Sequence, residues 1–63
     1  MSNLKKIKKL LLDKDISSLK MAKDIGINPS TLSLYLNGWK AVPEDAQNKI
    51  AAYLGVEEKD IFE

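Results

Sequence analysis

The sequence predicts an all-α fold, a compact bundle of five short helices. Three observations carry that expectation. Apolar residues recur at three- and four-residue intervals along most of the chain, as helices with one buried face require. The composition favours helices: 44% of the residues are apolar, 30% are charged, and Leu, Ile, Lys and Ala dominate. Only 3 Gly and 2 Pro occur, and they fall between the periodic stretches, where helices stop and restart.

Ser2 or Asn3 can cap a first helix in which Leu4, Ile7, Leu11 and Lys14 recur at helical spacing, with Lys5, Lys6, Lys8 and Lys9 around the rest. This helix should end by Asp15. A second begins at Ser17, whose hydroxyl can accept a free amide of the first turn, and Ile16 and Met21 have the spacing of a hydrophobic staple. Leu19, Ala22 and Ile25 form its expected inner stripe. Gly26 stands where a helix needs a left-handed residue to close, and Ile27 follows it. Asn28 and Pro29 then restart the chain, since Asn caps well and Pro at the first helical position gives up no hydrogen bond. The third helix has Leu32, Tyr35 and Leu36 on one side and is closed by Asn37-Gly38. A fourth runs from about Pro43 to Leu54, with Ala46, Ile50, Ala51 and Leu54 inward and Gly55 as its stop. Val56, Ile61 and Phe62 suggest a last short turn or helix that completes the core.

A chain of 63 residues buries only ~60% of its unfolded surface, which allows one small core over 1–63 and no second domain. With no Cys and no His, disulfides, thiolate nucleophiles, imidazole bases and the usual zinc ligands are all missing. Asp13 and Asp15 lie close together without a nucleophile, base or phosphate-cradling loop, so no enzyme, no cofactor and no metal is expected. The opening run has only Leu10 to Leu12 as uninterrupted apolar sequence, too little for a signal peptide or membrane anchor. A soluble cytoplasmic protein is expected.

Net charge is +1, but residues 1–40 carry +5 and residues 41–63 carry −4. Such a separation steers a polyanion toward one end of the molecule. Every cation is Lys, which limits the bidentate recognition of guanine that Arg provides.

The stretch 18–37 resembles the helix-turn-helix of phage repressors and Cro-type (XRE-type) regulators. Seven positions carry the resemblance: Met21, Ala22, Ile25, Gly26, Ile27, Leu32 and Tyr35. Beyond them, the YLNG segment at 35–38, the loop before Pro43 and the IAAYLGV segment at 50–56 are similar to lambda-repressor-like DNA-binding domains. Two helices crossing steeply must approach closely, so Ala22 is small, and the backbone must pass through positive φ, so Gly26 has no Cβ. The resemblance implies a sequence-specific double-stranded DNA-binding regulator of transcription whose third helix enters the major groove. Carried over by position, it implies base contacts from Pro29, Ser30, Ser33 and Leu34. Ser18, Lys20, Lys23, Asn37 and Lys40 would meet the DNA backbone. Many relatives place Gln, Arg or Lys where this chain has Pro29 and Leu34, so the polar base contacts fall to Ser30 and Ser33 and further selectivity to DNA shape. A homodimer on DNA is also implied, through Val56, Ile61, Phe62 or Trp39.

Blander readings stand beside these. A helix–Gly–helix corner occurs in many small bundles. Lys5, Lys6, Lys8 and Lys9 are either a solvated helix face or a clamp on flanking phosphates. Trp39 can pack over the core edge, stack near a sugar-phosphate backbone or anchor a partner, and Leu34 is a scattered surface leucine or a base contact. Tyr35 and Phe62 are most simply core. The alternative to DNA binding is a protein-protein interaction module that keeps the fold without DNA. A lysine-led membrane-surface peptide is a third reading, opposed by the core's need for the apolar residues.

Overall fold

A computed structural model describes residues 3–62. Its helices are α1 (Leu4–Asp13), α2 (Ser18–Ile25), α3 (Pro29–Leu36), α4 (Glu44–Leu54) and α5 (Lys59–Phe62), and no strand occurs among the described residues. They enclose one core built on Ile7, Met21, Leu32, Ile50, Leu54 and Ile61, all almost fully buried. No buried side chain in it is polar or charged.

On α1, Ile7 and Leu11 face the core, while Lys14 is exposed and caps the helix end instead of extending its inner stripe. Asn3 occupies the N-cap position without a side-chain capping bond; its backbone N–H donates to the Ile61 carbonyl and ties the start of α1 to α5. Ser2, the other candidate cap, lies outside the described residues. The exit of α1 is a left-handed turn: Asp15 has φ 57°, and the Ile16 N–H returns to the Leu11 carbonyl at 2.9 Å. A side chain in this conformation carries a steric cost that glycine lacks, while glycine loses more chain entropy on folding. Asp15→Gly is therefore expected to stabilise the fold by about 0.5–1 kcal/mol, seen as a rise of several degrees in the thermal midpoint. An unchanged or lower midpoint would mean that the Asp15 conformation costs nothing here.

The start of α2 follows expectation, with Ser17 Oγ accepting from the Lys20 N–H at 3.1 Å. Its inner face does not. Met21 and Ala22 are fully buried and Ile25 partly so, but Leu19 is 63% exposed. Positions 18, 21, 22 and 25 form the i, i+3, i+4, i+7 stripe, and residue 19 lies about 100° around the helix from the middle of it.

Gly26 takes φ 74° and the Ile27 N–H bonds to the Ala22 carbonyl at 2.9 Å, which reverses the chain into α3. A Cβ on Gly26 would meet nothing within 4 Å, so the backbone angle alone makes glycine the fitting residue. The Asn28 side chain accepts from the Ser30 N–H at 2.9 Å and Pro29 opens α3. Leu32, Tyr35 and Leu36 form the buried side. The other end closes with Gly38 at φ 76°, its N–H on the Tyr35 carbonyl, and the Trp39 N–H on the Leu34 carbonyl at 2.9 Å. Pro43 is the N-cap of α4 and Glu44 its first residue; Ala46, Ile50, Ala51 and Leu54 are buried as expected.

In α5, Ile61 is completely buried and packs in the core, so it offers no surface to a second subunit. Val56 and Phe62 pack against the same core and are half-buried. Ile61 is drawn inward because α5 is a single turn lying against α1, and of its four side chains Ile61 is the one that turn buries completely.

Candidate nucleic-acid interface

α3 is held on its buried side by α1 and α2, which leaves its first turn and opposite face to solvent. Pro29, Ser30, Ser33 and Leu34 are all exposed there, and the last is 43% accessible. Asn28 and Gly38 bracket this helix with hydrogen-bonded turns at both ends, so its outer side chains sit on a well-defined rod.

The residues expected to meet a DNA backbone are likewise exposed, but they do not form one cluster. Ser18, Ser33 and Asn37 line a common groove of about 350 Å³ between α1, the start of α2 and the end of α3, together with Lys8. Lys40 lies on the other flank of the α3 terminus, beside Gly38 and Val42. Lys20 stands next to Ser17 and Ile16 and is paired with Asp24 at 3.2 Å. Lys23 is exposed on α2.

Lys20 belongs to a chain of polar contacts that links α2 to α4. The Tyr53 hydroxyl donates to Asp24 at 2.6 Å, and the Lys20 ammonium donates to the same carboxylate. The Tyr53 bond, followed by the Lys20 bond, holds the Asp24 carboxyl below its ordinary pKa, and the same Asp24 bond raises that of the Tyr53 phenol. The link therefore contributes while Asp24 is ionised and Tyr53 protonated. It is lost as pH falls through the lowered Asp24 value and again as pH rises through the raised Tyr53 value. Since the pair is surface-exposed, Lys20 can leave Asp24 for another anion at little cost.

Asn37 is engaged inside the molecule. Its Nδ2 donates to the Ser33 carbonyl at 2.9 Å, and its Oδ1 accepts from Lys8 Nζ at 3.0 Å. No motif or residue type marks Lys8 among the four lysines of α1. Its place at the flank of the Leu4–Ile7–Leu11 stripe is the one signal, and only the packing of α1 on α3 gives that flank a neighbour. Trp39 does not cover the core edge: it is 81% exposed.

Among the described residues, no group of acids, Cys or His is arranged to hold a metal ion, and no helix is long and apolar enough to cross a membrane.

The family model for the Cro/C1-type helix-turn-helix DNA-binding domain matches residues 6–63. The chain belongs to that family. The Cro/C1-type match runs from Lys6, the third residue of α1, through all the later helices, so it takes in the packed body as well as the helix pair 18–37. Among curated proteins, the Mu-like prophage FluMu DNA transposition protein B of Haemophilus influenzae is 38% identical over 55 residues. That match spans 86% of this chain and 19% of the relative's length. No solved structure gives a significant match.

Proposed function

We propose that this Cro/C1-type domain is a sequence-specific double-stranded DNA-binding regulator of transcription of the Cro/repressor type, non-enzymatic and cytoplasmic, with one helix-turn-helix unit over 18–37. α3 enters the major groove, Ser30 and Ser33 donate to or accept from base edges, and Pro29 and Leu34 make apolar contacts such as those with a thymine methyl group. Ser18, Lys20, Lys23 and Lys40 meet phosphates on either side. The observation that carries the reading is the exposed Ser30–Ser33–Leu34 face on a helix capped at both ends and buried behind. Each subunit reads too little to specify a site, so two act as a twofold dimer on half-sites about one helical turn apart. With Ile61 in the core, Trp39 is the most exposed of the candidate residues for that contact, ahead of the half-buried Val56 and Phe62.

The test is an NMR titration with duplexes selected from a random pool. The amides of residues 30–37 are expected to shift, and the selected sequences to share a motif with twofold symmetry. Ser30→Ala and Ser33→Ala should change base preference by about 1–3 kcal/mol at the contacted position without weakening other sequences. If residues 30–37 stay unmoved at saturation, α3 does not read DNA, and a protein-binding role for the same fold takes its place.

A second reading follows from the relative named as a DNA transposition protein. In it the domain holds DNA for transposition instead of regulating transcription. A selected pool without a common motif, bound with the same salt dependence, would favour it.

A further inference from the structure

We propose that Lys8 of α1 is a DNA-phosphate contact, and that Asn37 acts as the positioning residue that holds it. The inference rests on the DNA-binding reading and extends it to a residue which the helix-turn-helix pattern does not include.

Lys8 Nζ donates to Asn37 Oδ1 at 3.0 Å across 29 positions of sequence, joining α1 to the end of α3. The amide of Asn37 is committed in both directions, because its Nδ2 donates to the Ser33 carbonyl at 2.9 Å and lies 3.4 Å from Ser33 Oγ. What Asn37 turns toward Lys8 is an acceptor, and an acceptor oxygen repels a phosphate oxygen. The ammonium has three N–H donors and Asn37 takes one, leaving two for an anion. Lys8 thus presents the donors at this corner and Asn37 fixes where they stand.

The surroundings suit a phosphate. Lys8 lines the groove shared by Ser18, Ser33 and Asn37, and it also lines a neighbouring groove with Lys5. No carboxylate borders either groove among the described residues, and Lys8 has no ion-pair partner there. Lys20, by contrast, is paired with Asp24, and Lys6 and Lys9 line a separate groove with Asp13. A long flexible stem already tied at its tip loses less rotamer freedom when DNA arrives, which favours Lys8 over its neighbours on α1. Because Asn37 is anchored on Ser33, the lysine is registered to the face proposed to read bases.

The test is fluorescence anisotropy of the chain with a fluorescein-labelled duplex, titrated at several salt concentrations. Lys8→Ala and Lys8→Gln are compared with Lys49→Ala, a matched charge removal on α4. Both Lys8 variants should reduce the slope of log K against log salt by about 0.9 per subunit, so that the affinity lost between 50 and 200 mM salt is about 3.5-fold smaller than for the parent. Lys49→Ala should leave the slope near the parent value. Asn37→Ala should weaken binding in the parent and have no further effect in the Lys8→Ala background. Lys8→Gln keeps an N–H donor for Asn37, so its result stands even if Lys8→Ala disturbs the fold. Slopes for the Lys8 variants equal to that of Lys49→Ala would overturn the assignment. Asn37→Ala costing the same in both backgrounds would also do so, by giving Asn37 a contact of its own. A parent chain that binds no duplex at low salt refutes the DNA-binding reading itself, and the assignment falls with it; a parent that binds while the Lys8 slopes stay unchanged refutes the assignment alone.

Discussion

Replacing Ile50 with alanine is expected to destabilise the domain by about 2–5 kcal/mol, the usual range for deleting a large aliphatic side chain from a close-packed interior. Ile50 has no exposed surface and sits on α4, which packs against both α1 and α2. A 63-residue fold at ~0.05–0.15 kcal/mol per residue holds roughly 3–9 kcal/mol in total, so this one change removes a large part of its stability. In a thermal melt followed by circular dichroism the midpoint should fall by at least ~10 °C. Ile50→Val should cost only about 0.5–1.5 kcal/mol, because it leaves a much smaller cavity. Leu12→Ala is the matched control. Leu12 is 82% exposed, and a surface truncation of that kind stays within about 0.5 kcal/mol. An Ile50→Ala variant that melts within a few degrees of the parent would show that the helices can close over the missing volume.

The second large effect concerns salt. Binding through about four to six phosphates per subunit gives a slope of log K against log salt near −0.9 for each contact, so raising salt from 50 to 200 mM should cost roughly 10²–10³-fold in affinity. On the proposed reading Lys8, Lys20, Lys23 and Lys40 would supply the cations for this count, and the acid-rich 41–63 segment would be repelled by the duplex. Anisotropy with a labelled duplex measures the slope directly. An affinity that hardly changes over this range would point to an apolar protein partner, and the exposed Leu34 and Trp39 would be its natural contacts. The lysine count also explains why selectivity must come from elsewhere. Phosphate contacts fix position but carry no sequence, and the proposed reading face has only two hydroxyls for polar base contacts.

Much of the fold was legible because its punctuation is local. Asn28, Gly26 and Gly55 set helix starts and stops through bonds made within four residues of themselves, Pro29 through its fixed φ, and all four act as the residue types predict. Asp15 shows where such signals thin out: the chain turns left-handed there without glycine, held by the Ile16 to Leu11 bond, and its residue type alone does not announce it. The candidate site was legible in part. Every residue expected to touch DNA is exposed, yet the grouping of Ser18, Ser33 and Asn37 around Lys8 appears only when α1 and α3 are brought together.

Residue identity and spacing were enough to determine that the chain is helical, where four of its five helices begin and end, and that its cations gather in the first forty residues. These depend on backbone angles, capping bonds and formal charge, which act over a few positions. Packing alone decided that Leu19 faces solvent, that Ile61 is sealed in the core, and that one lysine of α1 meets an amide 29 residues away. A helix's periodicity offers several nearly equivalent faces, and the burial of neighbouring helices selects among them.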